Sequence, residues 1–285
     1  MPANTRLRNF TSPERVRRWR RKLRGAVVLV PTMGALHDGH AALIRKARQV
    51  AGRTGTVIVS IFVNPTQFGP GEDFAAYPRP ISRDLLLCRM SGADAVFAPS
   101  AGGMYSSDAS VSVDEELLSK TLCGRSRPGH FRGVCTVVAK LFLITEPTHA
   151  VFGEKDWQQL AIIRRMVRDL NFSVRILGHP TVREEDGLAR SSRNAYLTAS
   201  EREVAPLIHR ALVEAAGAGL SPVGTVRRAE SAIRRIPGAR VDYVEAVEAA
   251  SLARLPGRKV PGRLAAAVFL GRARLIDNVA MGVIR

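Results

Sequence analysis

Two histidines, His37 and His40, close the run VPTMGALHDGH that begins at Val30. The apolar start predicts a strand, the glycines predict a turn, and the histidines stand where a helix should begin. A helix N-terminus after a strand offers backbone N–H groups to phosphate, and two imidazoles there can donate hydrogen bonds to phosphate oxygens. A capping or packing role, or a metal pair, explains the same spacing, so the motif alone leaves these alternatives open.

Neutral amides follow the next apolar segment, in the run SIFVNPTQF from Ser60 to Phe68. Asn64 and Gln67 can orient hydroxyl and carboxylate groups of a ligand without adding charge. A turn-forming asparagine before proline explains Asn64 without any ligand, and for this segment taken alone that alternative is the stronger one.

A further strand end carries charged residues, in the run FGEKDWQQ from Phe152 to Gln159. Lys155 can supply a point charge to a transferring phosphoryl group, and an acidic side chain here can approach ribose hydroxyls or a magnesium ion. Asp156 can cap the helix that follows. A charged capping turn without a ligand explains these residues about equally well.

Two basic loops complete the set of candidate segments. RSRPGHFRG, residues 125–133, precedes a helical run, and its Arg127 and Arg132 can bind an anion bidentately. DGLARSSRN, residues 186–194, combines hydroxyl and guanidinium groups that suit a phosphate clamp closing over a nucleotide. A solvated basic loop and a polar linker are the respective alternatives.

All of these segments carry groups that can bind anions, and most of them lie directly after a predicted strand. In open α/β sheets, ligands bind beyond the carboxyl ends of the strands. Together the segments predict an ATP-dependent enzyme acting at that edge of a sheet, although the residues alone do not identify its substrate.

Strands and helices alternate along the first part of the chain. The predicted strands are short and rich in Val and Ile, as expected for strands buried on both faces; they are Ala26–Val30, Thr56–Phe62, Asp94–Ala98, His149–Phe152 and Val174–Leu177. The first predicted helix has Ser12 as its N-cap and Pro13 as its first residue. The other predicted helices are His40–Val50, Ser82–Met90, Val134–Ile144 and Asp156–Leu170. This alternation predicts an α/β fold with a doubly wound parallel sheet.

The pattern changes after about residue 186. The predicted elements there are two helices and two strands, at Glu201–Ala215, Val226–Ile236, Val241–Val247 and Leu264–Leu270. We therefore expect two domains, a ligand-binding domain of residues 1–185 and a smaller α+β domain of residues 186–285.

Bulk composition narrows the class of protein. The formal net charge of +18 makes nucleic-acid binding an alternative function to consider. The distribution of the charge argues against it, because residues 1–24 alone hold nine basic side chains and one acidic one, and the remaining charge is dispersed without interleaved aromatics. No apolar run approaches the roughly 20 residues of a membrane span, and the basic N-terminus lacks the features of a secretory signal. Its Arg-rich, acid-poor composition also fits a mitochondrial presequence, but a helix leading into the first predicted strand is the simpler account, so we expect a cytoplasmic protein. The cysteines lack the spacing of a disulfide framework or a zinc site, which predicts reduced thiols at Cys88, Cys123 and Cys135.

Five segments, in this order, closely resemble the signature segments of the pantothenate synthetase family: PTMGALHDGH, SIFVNPTQF, RPGHFRGV, FGEKDWQQL and DGLARSSRN. Shorter matches at Tyr77–Arg79 and Leu275–Asn278 extend the resemblance over nearly the whole chain. The resemblance implies a nucleotidyltransferase-type Rossmann domain with an HxGH motif, a C-terminal domain that acts as a lid, and a homodimer.

The resemblance also implies the reaction. The carboxylate of (R)-pantoate attacks the α-phosphorus of ATP, with Mg²⁺ assisting, and gives pantoyl adenylate and pyrophosphate. The amine of β-alanine then attacks the acyl carbon, and AMP leaves as pantothenate forms. The alternatives are another HxGH-type adenylyltransferase and, in a different class, a basic RNA-binding protein that does not catalyse a reaction.

Family roles fall on matching positions of this chain. The catalytic residues implied are His40, His37 and Lys155. The implied ATP contacts are Met33, Gly34, Ala35, Leu36, His37, Asp38, Gly39, His40, Gly153, Glu154, Lys155, Asp156, Val182, Arg190, Ser191, Ser192 and Arg193. The implied substrate contacts are Gln67, Gln159, Asn64 and Arg127.

Two positions depart from the pattern of some relatives. Cys123 stands where they carry glutamate, so any contact made by that carboxylate is absent. Arg83 precedes Asp84 where they carry an acidic pair. Asp84 is therefore a possible magnesium ligand only, and the ion is expected to be carried mainly by the ATP phosphates.

Overall fold

The computed structural model describes residues 7–257 and 260–282, which form a six-stranded parallel sheet and a three-stranded antiparallel sheet. The strands are β1 Arg8–Phe10, β2 Val27–Thr32, β3 Thr56–Ile61, β4 Ala95–Phe97, β5 His149–Gly153, β6 Arg175–His179, β7 Ala239–Glu248, β8 Gly262–Leu270 and β9 Ala273–Met281. The α-helices are α1 Pro13–Arg20, α2 Asp38–Ala51, α3 Ile81–Met90, α4 Ala101–Met104, α5 Leu122–Ser126, α6 His130–Thr145, α7 Trp157–Asp169, α8 Ala199–Val204, α9 Pro206–Gly217 and α10 Pro222–Arg234. Short 3₁₀ helices occupy Pro65–Gln67, Leu118–Lys120, Glu154–Asp156 and Ser192–Tyr196.

The parallel sheet has the strand order β1-β4-β3-β2-β5-β6. Its second strand along the chain, β2, lies in the middle and pairs with β3 on one side and β5 on the other. The direction of winding therefore reverses at β2, which makes its carboxyl end the switch point where such sheets bind ligands. This topology confirms the predicted doubly wound α/β fold.

Helices cover the sheet because β2 is apolar on both faces. Val28 and Val30 pack in one cluster with Ile44 and Ala47 of α2. The intervening side chains of β2 are equally buried, and since successive side chains of a strand alternate between faces, they point to the opposite side of the sheet. Helix α6 also contacts β2.

Helix α1 begins as predicted. Ser12 is its N-cap, with Oγ accepting a hydrogen bond from the backbone N–H of Arg15 at 3.4 Å, and Pro13 is the first helical residue. Arg20 donates from Nε and Nη2 to the carbonyl oxygens of Thr145 and Glu146 at the end of α6, at 2.9–3.0 Å. Part of the N-terminal positive charge is thus placed at the negative end of a helix dipole. The part of the basic segment in residues 1–6 lies outside the described residues.

The antiparallel sheet, in the order β7-β8-β9, packs against α9 and α10 in a core of its own. This confirms the α+β character predicted for the C-terminal part. The single helix predicted at Glu201–Ala215 is instead two helices, because Pro206 has no N–H with which to continue α8. Strand β9 was not predicted, since Arg274 and Asp277 interrupt its apolar pattern.

The described residues divide into two compact units. The first unit comprises residues 7–115, 128–154 and 162–179, and the second comprises 116–127, 155–161, 180–257 and 260–282. The chain passes into the second unit directly after β6, ahead of the boundary predicted after residue 185, because the hairpin that follows is hydrogen-bonded to β9. Within these ranges, no helix combines the length and apolar composition needed to cross a membrane.

Candidate active site

The turn after β2 has a backbone conformation that few residues adopt. Gly34 and Ala35 both have positive φ, at 87° and 50°. A Cβ on Gly34 would lie 3.1 Å from Asp84 Oδ2 and from Ile61 Cγ2, so glycine is required there by both its φ and the available space. The turn is thereby held close against α3 and β3.

Asp84 of α3 anchors this turn. Its two carboxylate oxygens accept hydrogen bonds from the backbone N–H groups of Ala35 (2.9 Å) and Leu36 (2.8 Å), and the residue is 1% exposed. Burial raises the pKa of Asp84, and the two N–H groups offset part of that rise. The carboxylate of Asp84 thus has a structural function in holding the turn. Its predicted role as a magnesium ligand stays a prediction. No group of three or more His, Cys, Asp or Glu side chains suited to a metal ion occurs in residues 7–257 and 260–282.

The two histidines form the N-terminal cap of α2. His37 Nδ1 accepts from the backbone N–H of Gly39 at 3.1 Å, and His40 Nδ1 accepts from the backbone N–H of His37 at 3.3 Å. The two rings lie 4.1 Å apart between centroids. Because Nδ1 accepts in each ring, the proton of each neutral imidazole is assigned to Nε2. The capping alternative is therefore correct, and it also makes each Nε2–H a hydrogen-bond donor.

The amides after β3 form a buried network in the first unit. Asn64, 1% exposed, donates from Nδ2 to Gln67 Oε1 and to the carbonyl oxygen of Gly133, both at 3.1 Å, and accepts at Oδ1 from Tyr105 Oη at 2.9 Å. Gln67 Nε2 donates to Met33 Sδ at 2.8 Å. The structure thus brings Gln67 to the turn after β2, while Asn64 holds Gln67 in place.

Helix α6 lies directly against the 3₁₀ helix that carries Gln67. A Cβ on Gly133 would come within 2.3 Å of the carbonyl oxygen of Thr66 and 2.7 Å of the backbone nitrogen of Gln67. His130 Nδ1 lies 2.8 Å from the carbonyl oxygen of Gln67. The position of Gln67 therefore depends on residue 133 of α6 being glycine.

Lys155 lies in the second unit, in the 3₁₀ helix that follows β5. Lys155 lines a cavity of about 20 Å³ together with Ser191, Asn194, His209 and Asp277. The cavity has room for about one water molecule. The structure thus brings together Lys155 and the Ser191 end of the serine- and arginine-rich loop, two segments predicted to contact phosphate.

That loop follows a tight hairpin of residues 182–190. The backbone N–H of Arg190 donates to the carbonyl oxygen of Val182 at 2.9 Å, and Arg183 pairs with Ala189 in an isolated bridge. Ser191 caps the next 3₁₀ helix by accepting from the N–H of Arg193 at 3.3 Å. The segment is therefore built from turns and caps, and its predicted role as a phosphate clamp stays a prediction.

The remaining predicted substrate residues are half-buried in the second unit, where Gln159 lies in α7 and Arg127 ends α5. Sequence reasoning missed the neighbour of Gln159. Gln158 is buried and donates from Nε2 to the carbonyl oxygens of Leu118 and Thr121 at 2.8 and 2.7 Å. The paired glutamines after Trp157 were the only sequence signal for it.

Cys123, one of the two positions that depart from the resemblance, lies beside a half-buried arginine. Arg274 points its guanidinium at Cys123 Sγ, at 3.5 and 3.6 Å, and donates to Asp242 Oδ2 at 2.6 Å. Cys123 and Asp242 thus lie against the same guanidinium group.

Comparison with known proteins agrees with this geometry. The family model described as pantoate-beta-alanine ligase matches residues 8–280. A pantothenate synthetase of Akkermansia muciniphila is 52% identical over 260 residues, which cover 90% of this chain and 92% of the relative. One from Sphingopyxis alaskensis is 54% identical over 260 residues, with the same coverage of both chains.

Solved structures give the same result. A pantothenate synthetase crystal structure from Thermus thermophilus has a TM-score of 0.89 and 45% identity, covering 97% of this chain and all of the other. A pantoate-beta-alanine ligase from Francisella tularensis, complexed with beta-gamma ATP and beta-alanine, has a TM-score of 0.80 and 34% identity, covering 96% and 97%. With the HxGH cap and the amide network in place, these matches show that the chain belongs to the pantoate–β-alanine ligase family.

Proposed function

We propose that this chain condenses (R)-pantoate with β-alanine at the expense of ATP, through pantoyl adenylate, and releases AMP and pyrophosphate. The observation that carries the proposal is the HxGH cap at the switch point of the sheet, with Gln67 held beside the same turn. Relatives of the family named above share about half of the residues over most of the chain. The complex of the Francisella tularensis ligase with an ATP ligand and β-alanine supports the choice of substrates.

The adenylation step needs charge neutralisation and alignment more than it needs a base, because a carboxylate nucleophile is already ionised at pH 7. The Nε2–H groups of His37 and His40 donate to phosphate oxygens at the N-terminus of α2. Lys155 places a positive charge on the same phosphates, and Arg190 and Arg193 bind the leaving pyrophosphate.

Pantoate is oriented by amides, which do not repel its carboxylate. Gln67 and Gln159 are the proposed contacts, and Gln67 also faces β-alanine. Asn64 acts through Gln67, because its own donors are hydrogen-bonded within the protein. Arg127 contributes charge on the substrate or phosphate side.

The nucleotide contacts are the backbone of two turns. We assign residues 33–40 and Gly153–Asp156 to the nucleotide, with Val182 against the adenine and the hydroxyl groups of Ser191 and Ser192 toward the phosphates. Mg²⁺, when bound, would supply neutralisation of negative charge, with the ATP phosphates as its main ligands and Asp84 as the one side chain considered for it. Residues 186–285 serve as the lid that excludes water from the reactive acyl adenylate.

The protein works as a cytoplasmic homodimer on small molecules, without a nucleic-acid or membrane partner. This part of the proposal rests on family membership and on the dispersed positive charge. The RNA-binding alternative predicts affinity that falls linearly on logarithmic axes as salt rises.

Product analysis tests the reaction. Purified protein is incubated with MgATP and pantoate, with and without β-alanine, and AMP and pyrophosphate are quantified. We expect AMP formation to require both substrates. Pyrophosphate release without either substrate would favour the adenylyltransferase alternative, and the absence of turnover in folded, ATP-binding protein would contradict the proposal.

The variant His40→Ala tests the site in the same assay. Loss of one donor to developing charge should lower kcat about 100-fold to 1,000-fold. Gly102→Ala is the control, since a Cβ at Gly102 meets no atom within 4 Å and α4 has no proposed role. Unchanged turnover of His40→Ala would exclude this histidine from the reaction.

A further inference from the structure

Two neighbouring side chains of β9 connect segments that are far apart in sequence. Asp277 is 7% exposed, and its carboxylate pairs bidentately with Arg183, with Nη1–Oδ2 at 2.7 Å and Nη2–Oδ1 at 2.9 Å. It also accepts from the backbone N–H of Asn278 at 2.7 Å and lies 3.2 Å from His209 Nδ1. These contacts occupy both oxygens of a buried carboxylate.

Arg183 carries the connection into the 182–190 hairpin. Its Nη1 also donates to the carbonyl oxygen of Gly187 at 3.1 Å, and within the hairpin the N–H of Glu184 donates to the carbonyl oxygen of Leu188 at 2.8 Å. The loop of residues 190–193 begins where this hairpin ends. Asp277 therefore determines where the loop starts.

Asn278 makes the second connection. Its Nδ2 donates to the carbonyl oxygen of Lys155 at 3.1 Å, and its Oδ1 accepts from Arg263 Nη1 at 3.2 Å. The guanidinium of Arg263 lies 3.6 Å from the ring centroid of Trp157, the residue that opens α7. The backbone of Lys155 is thus held from β9, next to the residue that holds the hairpin.

We propose that Asp277 and Asn278 form a positioning pair for the reaction, which holds Lys155 and residues 190–193 at a constant separation across the cavity that both segments line. The inference rests on the proposed function, in which both segments contact the ATP phosphates. Neither residue of the pair touches the substrate in this proposal. They act through the groups that do.

The pair has a physical reason to be rigid. Burial alone would raise the pKa of Asp277, but its hydrogen bonds with His209 and Arg183 and the charge of Arg183 hold the pKa below its usual value. The carboxylate is therefore ionised at neutral pH, and the ion pair persists throughout the range in which the enzyme would be assayed. A displacement of about 1 Å in catalytic groups is enough to cost about 100-fold in rate.

The test compares Asp277→Asn and Asn278→Ala with Asp94→Asn. Asp94 is a matched control in the first unit, because it also accepts from an arginine (Arg48 Nη1, 3.1 Å) and a backbone N–H (Val57, 2.7 Å), and no site role is assigned to it. We expect kcat/KM for ATP to fall on the order of 100-fold in both test variants and less than about threefold in the control. A loss of activity no greater than that of Asp94→Asn would overturn the proposal.

The same substitution made in a Lys155→Ala protein separates a positioning role of Asn278 from general destabilisation. If Asn278 acts through Lys155, Asn278→Ala should lower kcat/KM by much less in a Lys155→Ala protein than in the wild type. An equal loss in both backgrounds would mean that Asn278 has only a structural role. Comparison in this form remains valid even if Asp277→Asn folds poorly.

Amide hydrogen exchange gives a readout that does not depend on turnover. Asp277→Asn should speed exchange at the hairpin amides of Glu184, Gly187 and Arg190, and Asp94→Asn should leave them unchanged. If the wild type forms no AMP, the proposed reaction fails, and this measurement still decides whether Asp277 holds the hairpin. Unchanged exchange in Asp277→Asn would contradict the positioning pair.

Discussion

The two ring nitrogens of His37 and of His40 differ in their hydrogen bonding. The Nδ1 atoms of His37 and His40 accept backbone N–H groups and so begin α2, which assigns the remaining proton of each neutral ring to Nε2. Each histidine therefore caps the helix while its Nε2–H remains the donor that we propose for phosphate. Capping and phosphate binding, which compete as explanations of the sequence, are compatible in the structure.

The first prediction separates these functions at His37. Asparagine is a good N-cap residue, so His37→Asn should retain most of the capping energy, whereas His37→Ala should lose about 1 kcal/mol of stability. Both variants should lose activity, because neither has an Nε2–H group. Thermal unfolding and AMP release are measured on both. Retained activity in His37→Asn would show that only the cap is needed.

The second prediction concerns thiol ionisation. Burial raises the pKa of Cys88 and of Cys135 to about 12, with smaller contributions from nearby carboxylates. At pH 8 each thiol is then about 0.01% thiolate, and reactivity should increase about tenfold for each unit by which the pH rises toward that pKa. Mass spectrometry after iodoacetamide treatment at pH 8 should find both unmodified in folded protein and modified in urea. Rapid labelling of either residue in the folded state would contradict the burial.

At the scale of elements, the contact between α6 and the 3₁₀ helix Pro65–Gln67 determines where Gln67 lies. Helix α6 approaches the 3₁₀ helix Pro65–Gln67 so closely that a Cβ on Gly133 would overlap backbone atoms. Backbone cannot move aside as a flexible side chain can. This glycine therefore sets the distance between the two elements and, through it, the position of Gln67.

The third prediction is that Gly133→Ala displaces Gln67. Overpacking of this kind costs typically about 1–3 kcal/mol of stability, and we expect KM for pantoate to rise roughly tenfold or more with a smaller change in KM for ATP. Steady-state kinetics with each substrate varied measure this difference, and Gly102→Ala serves again as the control. Equal increases in both KM values would indicate a general loss of structure.

Charge is the property of the whole molecule that affects function most broadly. The formal net charge is +18, while both proposed first-step substrates, ATP and pantoate, are anions. A positive protein attracts anionic ligands over distances limited by the Debye length, about 30 Å at 0.01 M salt and about 8 Å at 0.15 M. We therefore expect the net positive charge to favour encounter with both anionic substrates.

The fourth prediction follows from screening. Raising ionic strength from about 0.01 to 0.15 M should lower kcat/KM for ATP by several-fold, while kcat at saturating substrate stays nearly constant. Sodium chloride and potassium glutamate are compared to exclude a specific ion effect. If kcat/KM is independent of salt, the net charge has no part in substrate capture.

Local sequence patterns were enough to predict most elements of the parallel sheet. Its interior strands are almost wholly apolar, and they are followed by glycine, proline or capping residues such as Asn64 that act within a few positions. The segment that forms β9 carries charge within a buried strand, so its pattern did not reveal it. Helical periodicity runs through residues 201–215, but Pro206 divides them into α8 and α9 because it has no N–H to donate.

The sequence by itself determined the doubly wound fold, the order of the candidate anion-binding segments and the family, because these depend on short-range patterns and ordered motifs. Only the tertiary structure decided which side chains hold the site together. Asp84, Gln158, Gly133 and Asp277 have long-range partners that lie 35 to 94 positions away. Pairings over such distances arise from how elements pack, and no local spacing along the chain records them.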